Sequence, residues 1–338
     1  MDRYSRQTLF SPVGPRGQER IERARVLIVG CGALGTHSAE YLARAGVGSI
    51  RLVDRDLVEW SNLGRQIGFT EEDARRRTPK AIALARHLGE VNSTVAVEPR
   101  AMEFDHRSAL DLAADRDLLV DGTDNALARY LLNDVSYRLG RPWIYAGVIE
   151  ARGVVQAFSG DAPPCLRCTW PEMPPPGSLA TCDTAGVLGP AVAAVAGWQA
   201  TLALRILVDG GAANVAGRQV RLAVWDLEAR ISRVLPDASC PLCGEGCTEF
   251  LDGEHREEAT ALCGREAVLV RPVGDSFPAL ASLVGRLERL GTVEDRELFL
   301  RVQAPECTVT VFPDGRAIFD GLTDEAQARS LYARFVGQ

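Results

Sequence analysis

Histidine is scarce in this sequence, with four residues in 338. No combination of serine, histidine and acid typical of a nucleophilic hydrolase can be picked out around them. An excess of basic residues is also missing, and the formal net charge is -7. Nucleic-acid-binding proteins favour a basic face, so this charge argues against general binding of DNA or RNA.

The first 25 residues contain no apolar run and are polar and charged, so we expect no signal peptide. The most apolar stretch, residues 187–208, is long enough for a membrane span. Pro190, Gln199 and Arg205 interrupt it, which favours a buried core helix over a span. We therefore expect a cytoplasmic protein that does not associate with a membrane.

Cysteine is used moderately, with nine residues. Four of them form two C-x-x-C pairs, Cys165 with Cys168 and Cys240 with Cys243. Without a secretion signal, such pairs are typical of metal ligands rather than disulfides. Four thiolates complete a tetrahedral Zn²⁺ site and leave no open position for water. We expect one structural zinc ion that joins a mid-chain loop to a later segment.

A glycine-rich turn follows the first predicted strand. The apolar residues 25–29 lead into Gly30-x-Gly32-x-x-Gly35, and helical spacing follows over residues 36–45. A second strand, residues 49–53, ends at Asp54. This order predicts a βαβ nucleotide-binding unit, in which backbone N–H groups hold phosphate and the acid accepts hydrogen bonds from ribose.

Two basic side chains bear on which nucleotide binds. Arg65 lies in the segment Ser61–Gln66, and Lys80 follows a little later. A triphosphate calls for arginine and lysine partners, whereas the loop alone suffices for the pyrophosphate of a dinucleotide. The sequence therefore favours ATP, and a nicotinamide-dependent oxidoreductase is the alternative.

An acidic segment, Asp121-Gly122-Thr123-Asp124-Asn125, follows the fourth predicted strand. Ligands of open α/β sheets lie beyond the carboxyl ends of the strands, so Asp124 is placed to hold Mg²⁺. A different interpretation is that Thr123 or Asp124 caps the helix that starts near Ala126. Both can apply, with Asp124 as the ligand and Thr123 as the cap.

Strands and helices alternate as far as residue 146, which predicts a Rossmann-like, doubly wound α/β fold with a mainly parallel sheet. Longer strands at residues 152–158, 221–224 and 230–235 predict an antiparallel extension. We expect an ATP-binding domain over residues 1–248, a linker over 249–263 and a small α+β module over 264–338. The expected order in the module is strand, helix, strand, strand, helix, with a hairpin turn at Pro313-Asp314-Gly315.

As an ordered set, these motifs resemble the ThiF/MoeB/HesA family, the bacterial relatives of ubiquitin-activating enzymes. The matching residues are Arg3-Tyr4-Ser5-Arg6-Gln7, residues 25–35 and 54–66, Pro79-Lys80, residues 121–125 and the four paired cysteines. The resemblance implies ATP- and Mg²⁺-dependent adenylation of the C-terminal glycine of a small ubiquitin-like sulfur-carrier protein. The implied pathway is sulfur transfer for thiamin, molybdopterin or a related metabolite. A non-catalytic carrier-binding scaffold is a second alternative.

The resemblance also implies roles for single residues. It places nucleotide-binding side chains at Asp54, Asn62, Arg65, Gln66, Lys80, Asp124 and Asn125. Among them, Asp54 binds the ribose, Asn62, Arg65 and Lys80 contact phosphates, and Asp124 handles Mg²⁺. Arg6 is expected to act across a homodimer interface on the ATP of the other subunit.

Cys182 is a further chemical candidate. It follows the proline-rich loop 169–181, which we expect to steer the carrier tail, with Arg152 lining the channel. A helix N-terminus lowers the pKa of a thiol and makes it a better nucleophile. In some family members the matching cysteine bonds to the carrier through a thioester or an acyl disulfide, and in others it is dispensable. Both possibilities stay open for Cys182.

Overall fold

The computed structural model describes residues 3–175, 178, 182–255, 259–261, 266–272, 277–296 and 298–337. The chain divides into two compact units, residues 1–254 and 255–338, which are described separately below. The division lies a few residues beyond the expected end of the ATP-binding domain at residue 248. The expected linker and the role of the module remain predictions.

The first unit alternates helices and strands along most of its length. Its helices are α1 (Ser5–Thr8), α2 (Gly14–Arg23), α3 (Ala33–Ala45), α4 (Glu71–Arg76), α5 (Lys80–Val91), α6 (Ala109–Ala113), α7 (Ala126–Leu139), α8 (Cys182–Ala185) and α9 (Gly189–Asp209). Its strands are β1 (Arg25–Val29), β2 (Ser49–Val53), β3 (Ala96–Arg100), β4 (Leu118–Asp121), β5 (Trp143–Ile149), β6 (Arg152–Phe158), β7 (Arg218–Ala223) and β8 (Glu228–Arg233).

These strands form one sheet in the order β3-β2-β1-β4-β5-β6-β7-β8. Pairing is parallel from β3 to β5 and antiparallel from β5 to β8. The predicted mainly parallel sheet with an antiparallel extension is confirmed. The chain winds outward in opposite directions from β1 and β4, so the crevice at their carboxyl ends is the topological switch point where such sheets bind ligands.

Apolar side chains pack on both faces of the sheet, so its central strands are buried on both sides. Helix α9 lies in the core on one face, with Val192, Val195 and Ala196 fully buried. Among the described residues, it is the one helix long and apolar enough to cross a membrane, and 56% of its most apolar window is buried. It is therefore the core helix that the interrupting polar residues predicted.

The other face of the sheet is closed by α6, α7 and residues that follow the last paired cysteine. Phe250 and Leu251 are buried there, and their backbone N–H groups donate to Oδ2 of Asp134 at 3.1 and 3.2 Å. Asp134 is fully buried, and this burial raises its pKa to about 7. Residues 250–251 are thus part of the core of the first unit.

The second unit packs two helices on one face of an antiparallel sheet. Its elements are β9 (Ala259–Ala261), β10 (Ala267–Val270), α10 (Leu280–Leu287), β11 (Thr292–Asp295), β12 (Leu300–Gln303), β13 (Thr308–Val311), β14 (Ala317–Asp320) and α11 (Glu325–Phe335). The strand order is β11-β12-β13-β14-β10-β9. The hairpin of β13 and β14 is confirmed, with Gly315 at a φ of 84°. The expected order was wrong, because in the described part of this unit two strands precede α10 and four strands separate α10 from α11.

Candidate active site and metal centre

Two glycines of the loop, Gly30 and Gly35, pack too closely against their neighbours for a side chain to fit. Gly30 has a φ of 89°, a conformation that favours glycine. A Cβ added to Gly35 would lie 1.8 Å from the carbonyl oxygen of Gly30. A Cβ added to Gly122 would lie 2.3 Å from that same oxygen. The loop after β1, the start of α3 and the segment after β4 are therefore in direct backbone contact.

The N-terminus of α3 has no side-chain cap, which is the arrangement in which helix N-termini bind anions. Gly32 is the N-cap residue and supplies no side chain to satisfy the first N–H groups of the helix. Asp54 holds the loop from the other side, because its Oδ2 accepts the N–H of Cys31 at 2.6 Å and its Oδ1 accepts the N–H of Asp56 at 2.6 Å. Burial raises the pKa of Asp54.

Lys80 lies beside this loop, at the first position of α5. Its side chain is nine-tenths buried, and Nζ lies 3.1 Å from Oδ2 of Asp56. Burial opposes the ammonium charge, but the carboxylates of Asp56 and Asp54 outweigh that effect, so the pKa of Lys80 is raised. Asp124 acts in the same direction from the end of β4. The structure thus brings together Lys80, Asp54 and Asp124, which the sequence predicted as site residues.

The segment 121–125 corrects one prediction about helix capping. Neither Thr123 nor Asp124 caps α7: the cap is Asn125, whose Oδ1 accepts the N–H of Ala128 at 3.4 Å. Thr123 turns back instead, and its N–H and Oγ1 donate to Oδ1 of Asp121 at 2.8 and 2.7 Å. Asp124 is exposed. The short hydroxyl side chain is drawn to the buried carboxylate because that charge needs hydrogen-bond donors.

The segment 60–66 positions three further predicted residues. Asn62 is buried, and its Oδ1 accepts the N–H of Glu59 at 3.0 Å. Arg65 is half-buried, and its Nη1 donates to the carbonyl oxygen of Ser61 at 2.7 Å. Gln66 is buried, and within the described part of the chain its Oε1 has no hydrogen-bond partner. These two hydrogen bonds of Asn62 and Arg65 are thus local to this turn.

The N-terminal motif is anchored on both sides of Arg6. Tyr4 accepts a hydrogen bond from Nδ2 of Asn92 at 2.9 Å, and its ring lies where a Cβ on Gly46 would be. Gln7 donates to the carbonyl oxygen of Ala45 at 3.1 Å. Arg6 itself is exposed. The motif therefore fixes a short helix, α1, from which one guanidinium is presented to solvent.

Cys182 is the first residue of the short helix α8. Its side chain lies outside the described part of the structure, as do residues 176, 177 and 179–181 of the loop. The described residues 169–175 form neither helix nor strand.

The four paired cysteines converge on one point. Their Sγ atoms all lie within 4.8 Å of one another, and the pairs Cys165–Cys240 and Cys168–Cys243 are 3.4 Å apart. Zinc–sulfur bonds of about 2.3 Å in a tetrahedron would place the sulfurs about 3.8 Å apart, so the cluster fits Zn²⁺. Burial raises the pKa of Cys165 to about 11, and a bound cation reverses that preference by stabilising the thiolate. The cluster indicates a structural zinc site that joins the loop after β6 to residues 240–243.

Sequence reasoning missed a mostly buried arginine beside the acidic segment 121–125. Arg129 on α7 donates from Nε to Oδ2 of Asp121 at 3.0 Å, and its side chain is 18% exposed. An arginine within a helix is usually solvated, so its burial is visible only in the structure. The one sequence signal is its position, a turn of helix after the acidic segment.

Comparison with known proteins agrees with this geometry. A model of the ThiF family matches residues 4–242. The chain belongs to the ThiF family. The sulfur carrier protein ThiS adenylyltransferase of Bacillus subtilis is 39% identical over 342 aligned positions, which cover 99% of both chains. The sulfur carrier protein adenylyltransferase of Thermus thermophilus is 38% identical and covers 78% of this chain and 97% of its own.

Two further members of this set extend the comparison. The SAMP-activating enzyme E1 of Haloferax volcanii is 37% identical over 78% of this chain and 96% of its own. The crystal structure of E. coli MccB with ATP superimposes with a TM-score of 0.63 and 22% identity, over 72% of this chain and 74% of MccB. The structural likeness shows a shared ThiF-type fold.

Proposed function

We propose that this chain is an adenylyltransferase that uses ATP to activate the C-terminal glycine of a small ubiquitin-like sulfur-carrier protein of the ThiS/MoaD type. The products are a carrier acyl-adenylate and pyrophosphate, and the acyl-adenylate serves sulfur transfer in thiamin, molybdopterin or related biosynthesis. One observation carries the proposal: a buried lysine beside a phosphate loop, in a chain that aligns over 99% of its length with a ThiS adenylyltransferase.

The chemistry needs charge and positioning rather than a protein nucleophile. A carboxylate oxygen of the carrier attacks the α-phosphorus, and the bond from that phosphorus to the pyrophosphate oxygen breaks. Negative charge then collects on the leaving pyrophosphate. The N–H groups at the start of α3 and the ammonium of Lys80 stabilise it in a site where the lysine is already buried and charged. Arg65 adds a second cation from the neighbouring turn.

The remaining assignments follow from the geometry of the acids and amides. Asp54 keeps free lone pairs for the ribose hydroxyls after accepting two backbone N–H groups. The exposed carboxylate of Asp124 would hold Mg²⁺, which supplies charge neutralisation for the phosphates. The amides of Asn62, Gln66 and Asn125 would supply further polar contacts to the nucleotide. Among the described residues the Oε1 of Gln66 has no hydrogen-bond partner, which supports a ligand contact there.

A homodimer accounts for the position of Arg6. The guanidinium is exposed on an anchored helix, where it could reach the nucleotide of a second subunit. Leu9 and Phe10 follow it and are 73% and 62% exposed. Large apolar side chains next to a charged group suit the rim of a protein interface.

The proposal is tested by ATP–pyrophosphate exchange with the full chain and the ThiS protein of Bacillus subtilis as the carrier. We expect exchange that requires both the carrier and its C-terminal glycine, because the glycine carboxylate is the attacking group. A carrier that lacks this residue is the control. Carrier binding without exchange would instead indicate the scaffold alternative.

The oxidoreductase alternative makes an opposite prediction about ligands. The buried ammonium of Lys80 favours a triphosphate, so titration should show binding of Mg²⁺–ATP and no comparable binding of NAD⁺. Tight NAD⁺ binding would overturn the assignment of this site.

Cys182 is proposed as a covalent residue downstream of adenylation. Its thiolate would attack the carbonyl carbon of the acyl-adenylate, forming a thioester while the carbonyl–oxygen bond breaks and AMP leaves. The loop 169–181 before it would cover the carrier tail, and Arg152 would line the channel. Position alone supports these roles.

Mass spectrometry can detect the covalent step. After incubation with ThiS and Mg²⁺–ATP without reductant, we expect a species at the summed masses of enzyme and carrier less one water. The Cys182→Ala variant should lack it, whereas Cys247→Ala, which removes an exposed free thiol, should retain it. Exchange activity without any adduct would exclude the covalent role.

A further inference from the structure

Arg129 forms hydrogen bonds both with the segment around the end of β4 and with strand β5. Its Nε donates to Oδ2 of Asp121 at 3.0 Å, and its Nη2 donates to the carbonyl oxygens of Thr123 at 2.6 Å and Ala146 at 3.2 Å. These bonds use the planar fork of a guanidinium, which an ammonium cannot reproduce. One side chain therefore ties the end of β4 and the segment after it to the middle of β5.

The tied segment carries the predicted Mg²⁺ ligand. Asp121 is fully buried and accepts the N–H and hydroxyl of Thr123, so the backbone before Asp124 is held at several points. The carbonyl of Gly122 lies against Gly30 of the phosphate loop. Burial opposes the guanidinium charge, but the carboxylate of Asp121 outweighs it and raises the pKa of Arg129. Burial also raises the pKa of Asp121, against the opposing effect of Arg129. A shift of this guanidinium would move the Asp124 carboxylate relative to the loop.

The same arginine is linked to the start of the loop 169–181 through the ring of Tyr145. Its Cζ lies 5.0 Å from the ring centroid of Tyr145, and that ring lies 5.4 Å from the ring of Trp170. Tyr130, which follows Arg129 on α7, donates to the carbonyl oxygens of Trp170 at 2.9 Å and Glu172 at 2.5 Å. Adjacent residues of α7 thus hold the nucleotide segment and the beginning of the loop before Cys182.

We propose that Arg129 is a positioning residue for adenylation: it fixes the Asp124 segment against the phosphate loop and, through Tyr145, fixes Trp170 at the entrance of the loop that covers the carrier tail. The inference rests on the proposed function. Its consequence is that one guanidinium holds both the segment that binds Mg²⁺–ATP and the start of the loop that binds the carrier, so a change at Arg129 should weaken the binding of both substrates.

The test uses the full-length variants Arg129→Lys and Tyr145→Leu, with Mg²⁺–ATP and ThiS of Bacillus subtilis in the exchange assay. Arg129→Lys keeps a charge beside Asp121, and we expect its KM values for Mg²⁺–ATP and for the carrier each to rise about tenfold. Tyr145→Leu breaks only the link to Trp170, so its carrier KM should rise while its KM for Mg²⁺–ATP stays unchanged.

The control is Arg138→Lys on the same helix, whose side chain is 49% exposed and bonds Thr248. Both of its KM values should match the wild type. A purely structural role for Arg129 would lower the melting temperature and kcat and leave both KM values unchanged, which overturns the proposal. An unchanged carrier KM in Tyr145→Leu overturns it too, because Tyr145 is the proposed link. Absence of exchange in the wild type would instead refute the proposed function.

Discussion

Replacing Cys240 with serine is expected to remove bound zinc and strongly destabilise the first unit. Cys240 is fully buried, and a serine oxygen is a poor substitute for a thiolate ligand. A structural zinc ion contributes on the order of 10 kcal/mol to folding, which is comparable to the whole stability of a domain. Because a loss of 1 kcal/mol lowers the melting temperature of a domain this size by roughly 2–4 °C, we expect a fall of at least about 10 °C.

The measurements are zinc content by elemental analysis and melting temperature with and without a chelator. Cys247→Ser is the matched control, because Cys247 is exposed and lies outside the four-cysteine cluster. It should keep one zinc ion per chain and the wild-type melting temperature. A Cys240→Ser variant with full zinc content and an unchanged melting temperature would show that the four sulfurs do not hold a structural ion.

Replacing Lys80 with methionine should lower kcat/KM for ATP–pyrophosphate exchange by about a thousandfold, the cost of removing one preorganised charge from a buried site. Methionine keeps the apolar stem in its place while removing the ammonium that lies 3.1 Å from Asp56. The three carboxylates that raise the pKa of Lys80 would then face the triphosphate with no intervening charge. Binding of Mg²⁺–ATP should weaken in parallel.

Arg76→Ala is the control for this prediction. Its side chain is 70% exposed and pairs with Glu72 on the same helix, so its removal changes net charge without touching the phosphate loop. Exchange by Arg76→Ala should match the wild type. If Lys80→Met retained exchange within about threefold of the wild type, the assignment of Lys80 to the triphosphate would be wrong.

Local pattern was enough to predict the nucleotide site where neighbours in sequence are neighbours in space. Gly30, Gly35 and Asp54 belong to one βαβ unit, so the strand periodicity and the glycine spacing placed them together. The four cysteines were also predictable, because paired spacing and tetrahedral chemistry leave few arrangements. The antiparallel extension was foreseen from longer strands, some of which have no helix between them.

Residues that depend on long-range contacts were beyond the sequence. Arg129 gains its role from Ala146 and Tyr145 on the next strand, and nothing in the pattern of α7 marks it. Asn125 was expected to bind nucleotide, and the cap was assigned to its neighbours, since any of three polar side chains satisfies the local preference. The buried carboxylate of Asp121 excludes one of the three, because it accepts the hydroxyl of Thr123.

The hydrogen bonds that the backbone N–H groups of Phe250 and Leu251 donate to Asp134 limit where this chain can be shortened. Ending the chain at residue 248 would remove the buried side chains of Phe250 and Leu251. It would also leave the buried carboxylate of Asp134 without the two backbone N–H groups that donate to it. A version without the second unit should therefore keep its residues through Glu254, and its solubility would report whether those last few amino acids were retained.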